Sequence, residues 1–534
     1  MFRENRKLGA IAWVLIATML LSPIASGCAP AAPVTPAPPV IQTVVVAATA
    51  APTVAPTSVP ARDELVYGVD ETPDNLDPYG STQATTMRLF SVVYDRLVDY
   101  DANMTLVPKL ATSWEQKDST TLRVHLRSGV KFHNGAPFTA NDVKASLERV
   151  SDPANKMLLN FMWVPVKVTV VDDMTADIVA SEPFSALLSI LTFTAIVSAG
   201  DVDPTNPAKL TKQLNGTGYY KFVNYDTAQQ KIFLQANQDY WGGPPKTPKL
   251  TFWIIPDSDA RVSALQAGDV MVIPRVTAEQ VMAIAGNPDL TILNMPSVDT
   301  AWLRLNCKNQ YLSNPLVRQA IVYAIDRKAI ATKILGNTAS VLDSVLPKAT
   351  QGYAPLTPVY DHNPDKAKAL LAQAGYPNGF KLEMGTEEGV FPHHKDITQA
   401  VAQNLADVGI KTDVVTMDWG AYVAAAFGAK YDIAMFTWSD VTMDPDQFLS
   451  LWSAKDNLFA WDNSGYLPLF NAQRQLLGAD RTAAVGKAAQ YLWDQMPSVP
   501  LYSPRLIYAY SNKVQGFTHN MTYFELLHDV WVEK

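Results

Sequence analysis

Cysteine is nearly absent from this 534-residue chain, which has only Cys28 and Cys307. A disulfide framework is therefore excluded, and stability must come from burial, for which the chain is long enough to build two or three domains with sizeable cores. There is also no basic stripe with interleaved aromatics. The formal charge of −8 is spread along the chain, which argues against nucleic acid as a partner. After Ile24 no apolar stretch approaches the roughly 20 residues that a membrane span needs, so the body is expected to be soluble. Neither a Gly-x-Ser-x-Gly elbow nor a His-Glu-x-x-His helix is present, which removes two frequent signs of a secreted hydrolase. A carboxylate pair for glycoside hydrolysis could still stand among the 51 acids.

What is present begins with Arg3, Arg6 and Lys7, an apolar run from Leu8 to Ile24, and then Ala25-Ser26-Gly27 directly before Cys28. This order reads as an export signal. A retained membrane anchor is the plainer alternative, yet it has no need of small residues and a cysteine at its end. The pattern resembles the lipobox of bacterial lipoproteins, with Ala25 where Leu is commonest. That resemblance implies a signal peptide over 1–27 and acylation of Cys28 as the mature N-terminus. Each buried methylene contributes roughly 0.8 kcal/mol, so more than one acyl chain gives a durable anchor. Residues 28–62 follow as a tether: Ala29 to Ala61 carries no charge and is almost entirely Ala, Pro, Val and Thr. Such a composition favours extended chain over a core, with a reach of at most about 100 Å.

Patterned sequence starts near Glu64. Lys167 to Val171 and Ala176 to Ala180 form a hairpin signal around Asp172-Asp173-Met174-Thr175. Strands are also expected at Leu122 to Leu126, Lys221 to Tyr225 with Lys231 to Gln235, Lys249 to Ile255 and Ile410 to Val415. Asn314-Pro315 and Asn363-Pro364 each offer an N-cap with proline in the first helical turn, and Ile397 to Val408 reads as a third helix. Thr139 and Asp142 have capping-box spacing. Arg318 and Asp326 are expected on the polar side of an amphipathic helix. Gly216-Thr217-Gly218 lacks the spacing of a phosphate loop and reads as a turn into Tyr219 to Val223.

Several segments go beyond generic pattern. They include Asn75-Leu76-Asp77-Pro78, Val92 to Val98, Leu106 to Trp114, Leu126 to Gly135, Phe138 to Val143, Ala264 to Asp269, Ala374 to Gly379 and Asp444-Pro445. In this order they resemble the peptide/nickel-type extracytoplasmic solute-binding proteins of ABC transporters, the oligopeptide- and dipeptide-binding family 5. The resemblance implies an α/β, bilobed periplasmic-binding-protein-like fold (type II, cluster C) with an extra subdomain in the first lobe. On that basis lobe I covers 63–300, with the subdomain at about 85–200. Lobe II covers 301–499, and 500–534 returns to lobe I. It further implies a lipid-anchored, extracytoplasmic, monomeric receptor that is not an enzyme, needs no cofactor, and delivers its solute to permease subunits by hinge closure.

In peptide-binding relatives of this kind, a Trp near the start of a loop ending in Asp-Pro is followed three positions later by an Asp that pairs with the peptide's α-amine. Here Trp438 stands six residues before Asp444-Pro445, but the third position is Val441 and the nearby acid is Asp440. Two readings stay open: either the loop shifts to present Asp440, or the amine anchor is missing. Trp438, Ser439 and Asp440 are the expected ligand contacts, and Asp444 with Pro445 reads as a loop cap. A short peptide is the first choice of ligand and an oligosaccharide the second. A nickel complex or haem ranks lower, because the adjacent His393 and His394 lack a metal-site spacing.

Overall fold

The computed structural model describes residues 62–534 except 204, 207, 208, 389, 390 and 456. The expected signal peptide, Cys28 and all of the tether but Arg62 lie outside the described residues.

Two strands rich in β-branched and aromatic residues carry the chain between two bodies of core. Asp299–Leu305, buried along its whole length, runs antiparallel to the start of the 14-residue strand Ser498–Ser511, with Arg304 opposite Ser498 and Ala301 opposite Tyr502. The register shifts between Ala301 and Trp302, so that Leu501 bulges between Pro500 and Tyr502. Proline has no amide to give a ladder, and a bulge is one of the few places in a sheet that accepts it. Beyond the bulge the same strand leaves this partner and pairs with Leu290–Pro296, from Arg505 opposite Pro296 to Ser511 opposite Leu290.

One core gathers residues between Leu65 and Val272 together with the C-terminal Leu506 to Val532, and takes in Val298, Val441 and Met443. Its sheet centres on Glu64–Val69, which is parallel to Lys249–Ile254. An antiparallel four-stranded sheet, in the order Ala111–Gln116, Thr121–Leu126, Thr175–Ala180, Val166–Asp172, stands apart with helix Ala140–Ser151 against it. The other core gathers Ala301 to Tyr502 around the parallel pair Phe380–Glu387 and Ile410–Met417 and the strand Ile433–Ser439. The molecule is thus a mixed α/β fold with two lobes.

Local signals translate directly. Asn314 and Asn363 accept hydrogen bonds from Leu316 and Lys366 amides, and Thr139 with Asp142 closes a capping box. Gly216 and Gly218 permit close backbone approach: a Cβ on either would lie 1.9 Å from the Val93 carbonyl oxygen or 2.4 Å from that of Val92. The expectation for Arg318 and Asp326 needs correction. Arg318 is 2% exposed, and its guanidinium donates to the carbonyls of Leu312, Ser313, Gln495 and Met496. It serves carbonyls left without partners where helix Gly478–Gln495 ends, and so a charge that the sequence pattern assigns to solvent is drawn inside. Asp326 lies past the end of helix Pro315–Ala324 and instead caps the next turn by accepting from the Ala329 amide.

Candidate functional site

A cavity of about 140 Å³ lies beside the crossing strands, between the two cores. Asp299 is opposite Ser439 and Ala301 is opposite Thr437 in the ladder, and alternation along a strand puts these four on one face. Asp299, Ala301 and Thr437 line the cavity there, joined by Tyr502 and Arg505 from the long strand. The first lobe adds Arg275 and Tyr523, and the second adds Phe391 and His394.

The charges around this space are unequally matched. Arg275 donates to Asp70 at 2.7 Å and to Glu71 at 3.1 Å, so two carboxylates already hold it. Among the described residues the Arg505 guanidinium donates to Asn294, to its side-chain oxygen and, at 3.0 Å, its carbonyl. Asp299, 8% exposed, accepts from the Ser439 hydroxyl at 2.5 Å and the Tyr523 hydroxyl at 2.6 Å. Burial pushes its carboxyl above the usual range despite those two donors. His394 sits with Nδ1 3.0 Å from a Glu387 carboxylate oxygen and Nε2 3.3 Å from the Thr437 hydroxyl, and Phe391 stacks on its ring. His393 takes a left-handed backbone and faces Glu279 of the first lobe at 3.7 Å. Among the described residues no group of three or more His, Cys, Asp or Glu is placed to hold a metal ion.

The three residues singled out in the sequence occupy three different environments. Trp438 is half-buried on the face of its strand opposite Thr437, parallel to Phe436 at 6.0 Å and met edge-on at 5.6 Å by Phe161 of the first lobe. Ser439 orients Asp299. Asp440 is fully buried away from the cavity lining: its amide donates to the Val298 carbonyl at 3.0 Å, and one carboxyl oxygen accepts from the Thr350 hydroxyl. The other oxygen has no hydrogen-bond partner. Burial, reinforced by the nearby Asp444 carboxylate, pushes the Asp440 carboxyl up to about 8. Asp444 caps helix Pro445–Leu449 and is also held by Arg481 through two bonds, at 2.8 and 2.5 Å, and by the Ser189 hydroxyl of the first lobe at 2.6 Å. Sequence reasoning missed Asp299, Arg275 and Tyr523, which are far apart in the chain. The one available signal was an acid opening the strand-forming run Asp-Thr-Ala-Trp-Leu-Arg-Leu.

A family model described as bacterial extracellular solute-binding proteins, family 5, middle region, matches residues 105–459. The chain belongs to this family. Family 5 proteins are extracytoplasmic solute-binding components of ABC importers, and the relatives of this chain are binders and not enzymes. It is 30% identical over 485 residues to the glutathione-binding protein GsiB of Shigella flexneri, covering 86% of this chain and 92% of that protein. It is 29% identical over 511 residues to heme-binding protein A of Haemophilus influenzae, covering 89% and 93%. Among solved structures, the periplasmic binding protein DppA of Helicobacter pylori in complex with the peptide STSA superposes with a TM-score of 0.77 at 28% identity, covering 88% of this chain and 98% of that one. The bilobed periplasmic-binding-protein fold implied by the sequence motifs is therefore the fold of this family 5 member.

Proposed function

We propose that this family 5 protein is a lipid-anchored receptor that takes a short peptide into the interlobe cavity and passes it to its permease by hinge closure. The observation that carries this reading is a strand edge left open at the cavity. Ile433–Ser439 is paired along one edge from end to end, but on the other, among the described residues, strand pairing reaches only Ile433 and Ala434. The Met435 and Ser439 carbonyls are taken by the Tyr422 hydroxyl and by the Gln447 amide group. The edge around Thr437 is thereby left for an extended backbone to join as an added strand. A cavity of about 140 Å³ is well below the roughly 300 Å³ at which pockets for drug-sized ligands begin, which favours a solute of very few residues over haem. The peptide held by the Helicobacter pylori relative supports the same class.

In this reading the lobes divide at 300/301 and 499/500, with the subdomain at about 85–200, and the described arrangement is the closed one. Phe161 meets Trp438, Ser189 meets Asp444, and the Ser185 hydroxyl donates to the Leu476 carbonyl at 2.7 Å, all from lobe to lobe. A solute bound between the lobes shifts the population toward this arrangement by the difference in its affinity for the two states. Trp438 acts here through Phe161. Trp438→Ala removes an interlobe aromatic contact and is expected to weaken trialanine binding at least tenfold, about 1.4 kcal/mol, by titration calorimetry. Unchanged affinity takes Trp438 out of the closure. The anchor has its own test. Cys28→Ser should release the protein from the membrane fraction of expressing cells, whereas retention there rejects acylation as the means of attachment.

A further inference from the structure

We propose that Asp299 is the counter-charge for an ammonium group of the solute, a role the sequence motif places on the loop after Trp438. This rests on the reading of the interlobe cavity as a peptide site.

Three observations point the same way. Asp299 lines the cavity, and the two residues that fix its carboxylate, Ser439 and Tyr523, come from opposite lobes. Each carboxylate oxygen receives one neutral hydroxyl, yet no cationic side chain of the described residues stands within 4.0 Å of it, while Arg275 beside it is occupied by Asp70 and Asp299 gets none of its hydrogen bonds. A desolvated carboxylate that lacks a cation is unfavourable unless one arrives, so burial itself creates affinity for a positively charged group. The loop acid, Asp440, has no comparable access: it is fully enclosed and bonded to Thr350. Asp299 is displaced from that loop by one strand. It faces Ser439 across the ladder and lines the same cavity as Thr437, so a peptide at the open edge has the Asp299 carboxylate on the floor beside it.

The neutral neighbours matter as much as the acid. An arginine or lysine in place of Tyr523 or Ser439 would satisfy the carboxylate internally and leave nothing for a ligand. Hydroxyls instead orient it and keep its charge available. Tyr523 reaches it from the C-terminal segment of the first lobe, so the subsite is complete only when both lobes are together. An ammonium drawn to Asp299 thus favours the closed arrangement and not merely binding.

The test compares dialanine and trialanine with their N-acetylated forms on the wild-type protein, Asp299→Asn and Asp299→Ser, by titration calorimetry on the full mature chain. In the wild type, acetylation is expected to weaken binding at least tenfold. In Asp299→Asn the free peptides are expected to lose at least tenfold, while the acetylated forms keep their wild-type affinity. That retained binding also shows the variant to be folded, and Asp299→Ser repeats the comparison with a smaller side chain. Two results overturn the assignment with the peptide reading intact: free and acetylated peptides binding the wild type equally, or acetylation costing the same in the Asp299 variants as in the wild type. A wild-type protein that binds no peptide in either form overturns the peptide reading and the ammonium subsite with it.

Discussion

Arg481→Ala is expected to destabilise the second lobe by about 3–5 kcal/mol, the cost usual for leaving one member of a buried ion pair alone. The pair is well shielded. The Asp444 side chain is 1% exposed and that of Arg481 10%, with both carboxylate oxygens bonded to the guanidinium. Burial works to raise the Asp444 carboxyl, but Arg481 and the Ser189 hydroxyl outweigh it and hold the group below its ordinary range. The charge therefore persists at neutral pH, and without Arg481 it stands uncompensated in the interior. Urea denaturation followed by tryptophan fluorescence reads the effect as a lowered midpoint. Asp444→Asn combined with Arg481→Met should recover more than half of the loss, since both charges leave together. A loss under about 1 kcal/mol for Arg481→Ala would mean that water reaches the pair, contrary to its burial.

The second large effect is one of pH. Asp440 titrates near 8 in the folded chain and near 3.9 unfolded, so between those values the native state holds the extra proton. Its contribution to stability is full below about pH 4 and is lost as pH rises through about 8. Asp440→Asn imitates the protonated carboxyl at every pH. Its stability relative to wild type should therefore climb across that window, reaching on the order of a few kcal/mol at pH 9 and falling to near zero or slightly negative at pH 4. Denaturation midpoints of both proteins across pH 4–9 decide the matter. Parallel curves would show that Asp440 is ionised throughout and that the enclosed oxygen finds water.

Much of the fold was legible because it rests on local signals. Capping asparagines before proline, the capping box at Thr139, and alternation in Thr175–Ala180 each act within a few residues. The family motifs fixed the two-lobed plan by the same route, since glycines such as Gly216 and Gly218 answer to a close backbone approach that few substitutes survive. The site was less legible. The charge state of a carboxyl depends on what surrounds it in space, and Asp299 owes its surroundings to a strand 140 residues later through Ser439 and to Tyr523, 224 residues later. Arg318 misled for the same reason: helical periodicity counts side-chain polarity but not the carbonyls that a distant helix end leaves over. Trp438 was legible as a residue in a motif, whereas its partner Phe161, on the other lobe, had no signal in the sequence.

The bulge at Leu501 has a bearing on how the halves swing. Pro500 and Pro504 stand within four residues of each other in a strand that pairs in both halves, and neither can offer an amide to a neighbour. Two ladder amides are therefore missing from that stretch, although Ala339–Val341 still pairs with Tyr502, Ser503 and Pro504 there. In the proposed hinge closure, this short stretch of backbone beside the cavity is where the ribbon would bend, with each lobe moving as a block.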